Sequence, residues 1–216
     1  MIGQALSAPA GRLTLRSETL GGLPIVCRFL ARMRVGALLE RYLPETDARV
    51  GLPAARTIGV LIRNLCVSHE PLYRLGEWAA AFDPRLLGIP SSEVSLLNDD
   101  RVGRALERLF CCDRASFLTE LMLGVITEFG VDCSQLHNDS TSVTLHGAYR
   151  QADGRAHAGK ATVTLARGHS KDHRPDLKQL LWILTIAAGE AVPVAYRLAD
   201  GNTNDESTHI ETVCAP

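Results

Sequence analysis

At 216 residues the chain can bury a sizeable core, as one domain or as two small ones. It is 46% hydrophobic and only 5% aromatic, and its formal charge is −1, so overall charge makes no case for a nucleic-acid or membrane partner. The longest apolar run, Leu180 to Ala188, is far too short to cross a bilayer, and no basic-then-apolar signal opens the N-terminus; a cytoplasmic protein without a membrane partner is expected.

Residues 1–22 mix Gly, Pro, Ser and Thr, and read as an extended arm with one short strand. Residues 23–130 read as an all-helical N-terminal domain. Ile58, Leu61, Ile62 and Leu65 repeat at helical spacing, and so do Val102, Ala105, Leu106, Leu109 and Phe110 behind a cap at Asn98, Asp99 or Asp100. Leu118, Leu121, Met122, Val125, Ile126 and Phe129 form the clearest stripe, closed by Gly130. Breaks at Pro44, Pro53, Pro71, Pro84 and Pro90 divide this stretch into about five or six short helices, each hiding one face on its neighbours. The six cysteines show no CxxC pairing and mostly sit in apolar stretches, as buried free thiols of a reducing compartment would.

Beyond Gly130 the period changes to that of strands. In Cys133 to His146, Val143 and Leu145 alternate with Ser142, Thr144 and His146. Leu180 to Ala188 is the continuous apolar run of a strand covered on both faces. Val192, Val194, Tyr196 and Leu198 alternate with Pro193, Ala195 and Arg197, and Gly189-Glu190 makes a hairpin turn between the two runs. Pro193 argues for an edge position or a strand start. A helix is expected to begin at Asn204 or Asp205. The fold class is therefore α+β, with residues 131–216 forming a second unit.

Three polar blocks carry the candidate chemistry. Asp139, within His137-Asn138-Asp139-Ser140-Thr141, is expected just past an apolar strand, where its carboxylate can meet a divalent ion at the sheet edge; the alternative is a turn cap. Gly168 to Gln179 (GHSKDHRPDLKQ) offers Lys171, Arg174 and Lys178 to phosphates, with His169 and His173 beside them. A solvated charged loop is the alternative there, and a zinc site from the histidines with Asp172 or Asp176 is disfavoured by Pro175 and Gly168. Asp200 to His209 is a polar turn in which Asp205 and Glu206 suit the first turn of a helix.

Together, HNDSTSV (137–143), GHSKDHRPDLKQ (168–179) and GNTND (201–205) resemble the front end of a DDE transposase of bacterial insertion sequences, from the group with a helical N-terminal domain of unassigned function. The resemblance implies an RNase H-like core, here as its first three strands, with Asp139 as the first acid of the Asp-Asp-Glu triad. It implies Mg²⁺, with Mn²⁺ as a substitute, no small-molecule cofactor, and DNA at the element ends as partner. It further implies DNA contacts by Lys171, Arg174, Lys178, His169 and His173, and assembly with copies of the chain or a full-length transposase. The second Asp and the Glu have no counterpart here, and residues 212–216 lie outside the pattern, so a truncated, inactive fragment is expected. The competing reading is a DNA-binding or regulatory module acting on element ends without catalysis, in which Arg28, Arg32, Arg34 and Arg41 could also touch the duplex.

Overall fold

The computed structural model describes residues 19–47, 49–168 and 174–203. Its helical part contains α1 (Leu23–Arg32), α2 (Val35–Tyr42), α3 (Ala54–Val67), α4 (Leu75–Ala80), α5 (Pro84–Leu87), α6 (Asp99–Cys111) and α7 (Arg114–Phe129), with short 3-10 helices at Leu72–Arg74 and Ser91–Leu96. That is more elements than the periodicity suggests. Prolines explain the difference: Pro53, Pro71 and Pro90 each stand at the cap of a new element and Pro84 opens α5, so residues 71–97 are cut into elements of three to six residues, too short to show a repeat. The capping expectations hold: Asn98 Oδ1 accepts the Arg101 N–H at 2.9 Å, and Gly130 closes α7 at φ 64°.

α3 is the hub of the core, packed by α1, α2 and α6. Its buried face is Ala54, Ala55, Thr57, Ile58, Val60, Leu61 and Asn64, so the stripe read from the sequence is right at Ile58 and Leu61 but wrong at Leu65, which is half exposed. α7 leans against α1 and α2 with only Phe117 and Val125 fully buried. Polar clasps finish that contact. Glu120 is bound by Arg41 and by the Tyr42 hydroxyl, while Arg32 reaches Glu128 at 2.8 Å and lies over the Phe129 ring.

Three antiparallel strands follow in the order β1-β2-β3: β1 (Leu136–Leu145), β2 (Lys178–Ala187) and β3 (Pro193–Asp200). The α+β class is as expected. β3 starts at Pro193 on an edge, where the missing N–H costs no ladder bond, and the register slips by a bulge at Thr185/Ile186 opposite it.

Two expectations are corrected. β2 is not covered on both sides: Leu181, Ile183 and Ala187 are buried, whereas Trp182 is 38% exposed and Leu184 and Ile186 are half-buried. A continuous apolar run reports composition on both faces, and here one of those apolar faces is open. The described cysteines are free but not buried: Cys66, Cys111 and Cys133 are exposed and Cys27 and Cys112 intermediate, while Cys214 lies outside the described residues. The expected arm (but for Thr19 to Gly22) and the helix from Asp205 also lie outside them. No helix among the described residues is long and apolar enough to cross a membrane.

The two faces of α3 give a direct test. Leu61→Ala should lower the unfolding free energy by about 2–5 kcal/mol in urea denaturation followed by circular dichroism, whereas Leu65→Ala should change it by less than about 0.5 kcal/mol.

Candidate functional site

Asp139 is the fourth residue of β1, inside the strand rather than just past it. The sequence misplaces it because Asn-Asp-Ser-Thr carries turn propensity, and pairing with β2 from Leu136 onward overrides that propensity. β1 is an edge strand, so Asp139 still stands at the rim of the sheet. Its side chain is exposed, with Oδ1 accepting the Ser140 N–H at 2.8 Å and Oδ2 accepting no hydrogen bond among the described residues.

Strand alternation decides what surrounds it. In the observed register His137 faces Ile186, Asp139 faces Leu184 and Thr141 faces Trp182, while Leu184 and Trp182 face Tyr196 and Leu198 across β3. These residues share one side of the sheet, and His137, Asp139, Thr141, Trp182, Leu184 and Ile186 line a groove of about 480 Å³ there with Val143. Trp182 and Tyr196 stack there with ring centroids 5.1 Å apart and planes at 17°. The opposite side carries Ser140, Leu181, Ile183 and Gln179, all buried. One hard, exposed oxygen donor thus sits on an apolar, half-open sheet face. Its donor chemistry suits Mg²⁺ or Mn²⁺, which take carboxylates and keep several waters. A cage is another matter: no three His, Cys, Asp or Glu side chains come together to hold an ion among the described residues.

The second and third polar blocks meet at the start of β2, away from Asp139. Gln179 pairs its backbone N–H and C=O with Ala166, and its side-chain Nε2 donates to the Gly201 carbonyl at 2.8 Å. Gly201 N–H in turn donates to Thr164 O, and Asp200 Oδ1 accepts the Thr164 N–H at 2.7 Å. A Cβ built on Gly201 would overlap the Gln179 carbonyl oxygen, and one on Gly168 would overlap the Gly201 carbonyl. Gly168, Gln179, Asp200 and Gly201 therefore close the foot of the basic loop. The glycines flanking the charged loop are the signal for this foot in the sequence, because close backbone approach admits no other residue.

Of the cations proposed for phosphate, Arg174 and Lys178 are described, and Lys171, His169 and His173 lie outside the described residues. Arg174 grips Asp176 through two hydrogen bonds of 2.8 Å, which pull the Asp176 carboxyl down to about 2. Lys178 Nζ donates to the Tyr149 carbonyl at 3.2 Å. Lys160 and His157 turn toward the helices instead. Lys160 Nζ donates to the Cys112 carbonyl, and His157 Nε2 meets Glu107 Oε1 at 2.6 Å. The described cations of residues 155–178 are dispersed rather than gathered: Arg167 is exposed, and Arg155 pairs with Asp153 at 3.1 Å. In α1 and α2, Arg32 and Arg41 are occupied by α7 carboxylates, while Arg28 and Arg34 are exposed.

Fold and groove together define an α+β protein in which a helical unit precedes a half-covered antiparallel sheet bearing an acid at its rim. The chain belongs to the family of a domain of unknown function, DUF4277, whose model matches residues 15–123, half of the chain and most of its helical part. No curated protein and no solved structure matches it.

Two measurements check this geometry. Gly201→Ala should open the foot and raise amide exchange at Thr164, Ala166 and Gln179 far more than in α3. An NMR titration of the Asp176 carboxyl should show its midpoint at about 2. A depressed carboxyl contributes stability above its unfolded pKa and loses it as pH falls through the folded value, so the clasp should persist to about pH 3 and Arg174→Ala should return Asp176 to the ordinary carboxylate range.

Proposed function

We propose that the sheet unit is the opening of a metal-dependent phosphoryl-transfer core of the RNase H-like, insertion-sequence transposase kind, with DNA as its substrate and Asp139 as the first metal-holding acid. The observation that carries the reading is the Asp139 carboxylate, exposed on an edge strand with one oxygen uncommitted and an open groove beside it. The motifs around Asp139, Gly168 to Gln179 and Gly201 to Asp205 support it, as does the helical part, whose family occurs in transposase-like proteins.

A divalent ion, when bound, would neutralise and polarise phosphate oxygens during in-line transfer. The chain's own part is to present the Asp139 carboxylate from an edge strand beside an apolar surface of Trp182, Leu184 and Ile186, which a covering partner would dry. Such chemistry draws on two or three acids, and the described residues bring one to this face. The chain alone is therefore expected to bind metal weakly and to leave DNA uncut, its function depending on acids supplied from outside the described residues.

Mn²⁺ added to isotope-labelled protein should broaden the amides of residues 137–141 before others, and Asp139→Asn should remove that selectivity; broadening centred elsewhere would contradict the assignment. With Mg²⁺ or Mn²⁺ the purified chain should nick no DNA above a mock preparation. Metal-dependent nicking abolished by Asp139→Ala would show that the acids are complete as they stand.

A further inference from the structure

Asp139 shares its strand face with a second donor. His137 and Asp139 are alternate residues of β1, so their side chains leave the sheet on the same side, roughly 7 Å apart at the backbone. Both are exposed and both line the open groove. Across the ladder they meet Ile186 and Leu184, whose side chains offer neither a hydrogen-bond donor nor an acceptor. On its other side β1 is the sheet edge among the described residues.

The residues between and beside them are held on the opposite face. Asn138 Nδ2 donates to Thr185 Oγ1 at 2.8 Å, and Ser140 is buried. That packing fixes which two side chains β1 turns toward the groove. The His137 ring makes no hydrogen bond, ion pair or ring contact among the described residues. His157 shows the contrast: Glu107 takes its Nε2 and Phe110 packs on its ring. The imidazole of His137 and Oδ2 of Asp139 are therefore two uncommitted donors, side by side on one strand.

A nitrogen and an oxygen donor at this spacing can bind one divalent ion between them, with its other positions left to water or to phosphate oxygens. Imidazole suits first-row transition ions, whereas Mg²⁺ favours oxygen ligands alone. We infer that His137 is a second ligand beside Asp139, and that the pair seats a divalent transition-metal ion such as Mn²⁺ in preference to Mg²⁺. The inference rests on the metal-holding role proposed for Asp139 and adds to it a ligand and a class of ion.

Pulsed EPR on the full chain loaded with Mn²⁺ tests this, because a nitrogen bound directly to the ion modulates the electron spin echo. The unaltered protein should show that modulation. His137→Gln, at an exposed position and with unchanged circular dichroism, should lose it, and severalfold less Mg²⁺ should then displace the Mn²⁺ that remains bound. Asp139→Asn should lower the amount of Mn²⁺ bound. Modulation absent from the unaltered protein, modulation surviving His137→Gln, or an unchanged preference for Mn²⁺ over Mg²⁺ would each overturn the two-donor seat and leave Asp139 as a metal-holding acid. Mn²⁺ loading indifferent to Asp139→Asn would overturn both.

Discussion

Everything in the second half of the molecule depends on how Gln179 is held. It is 2% exposed at the end of β2, with its backbone paired to Ala166 and its side chain bound to Gly201. A buried amide left without partners costs about 1–3 kcal/mol, so the bond to the Gly201 carbonyl both stabilises the residue and specifies the position of the chain after β3. Glycine at 201 and 168 is what lets three backbone segments approach that closely. The hairpin and the long loop before it are thus locked at one foot, beside a β2 that pairs with β1 in a single register.

That register places Asp139 opposite Leu184, and the chemistry proposed for it rests on this pairing. A slip by one residue would turn Asp139 to the buried side and Ser140 to the groove. Ser140, Ile183 and Leu181 are buried and therefore oppose such a slip. The acid's position is a consequence of packing on the other side of the sheet. The groove side is apolar but open, which leaves a carboxylate at its rim accessible while its surroundings can be dried by whatever covers them.

Much of the architecture was legible in the residues. Helical spacing, the Asn98 cap, the Gly130 stop and the change of period after it each have a single-segment cause, and each appears where expected. What escaped depends on neighbours distant in sequence. Leu65 keeps the spacing of Ile58 and Leu61 but points away from the helices that bury them. Residues 71–97 are too finely cut by proline for any period to show. Asp139 carries turn propensity locally and is drawn into β1 by ten paired residues of β2. The cations between residues 155 and 178 look gathered in sequence, yet among the described ones Asp176, Tyr149, Glu107 and Cys112 draw Arg174, Lys178, His157 and Lys160 to different places. At the candidate site, Asp139 could be singled out from its motif, while its neighbours on that face, Trp182 and Tyr196, needed the register.

The central claim is that this sheet is covered on one side and open on the other, with Asp139 on the open side. Hydroxyl-radical footprinting of the intact protein, read residue by residue, tests it most directly. Trp182, Tyr196 and Leu184 should be oxidised readily while Leu181 and Ile183, their sequence neighbours on the opposite face, stay protected. Equal protection of both sets, or the reverse order, would contradict the account.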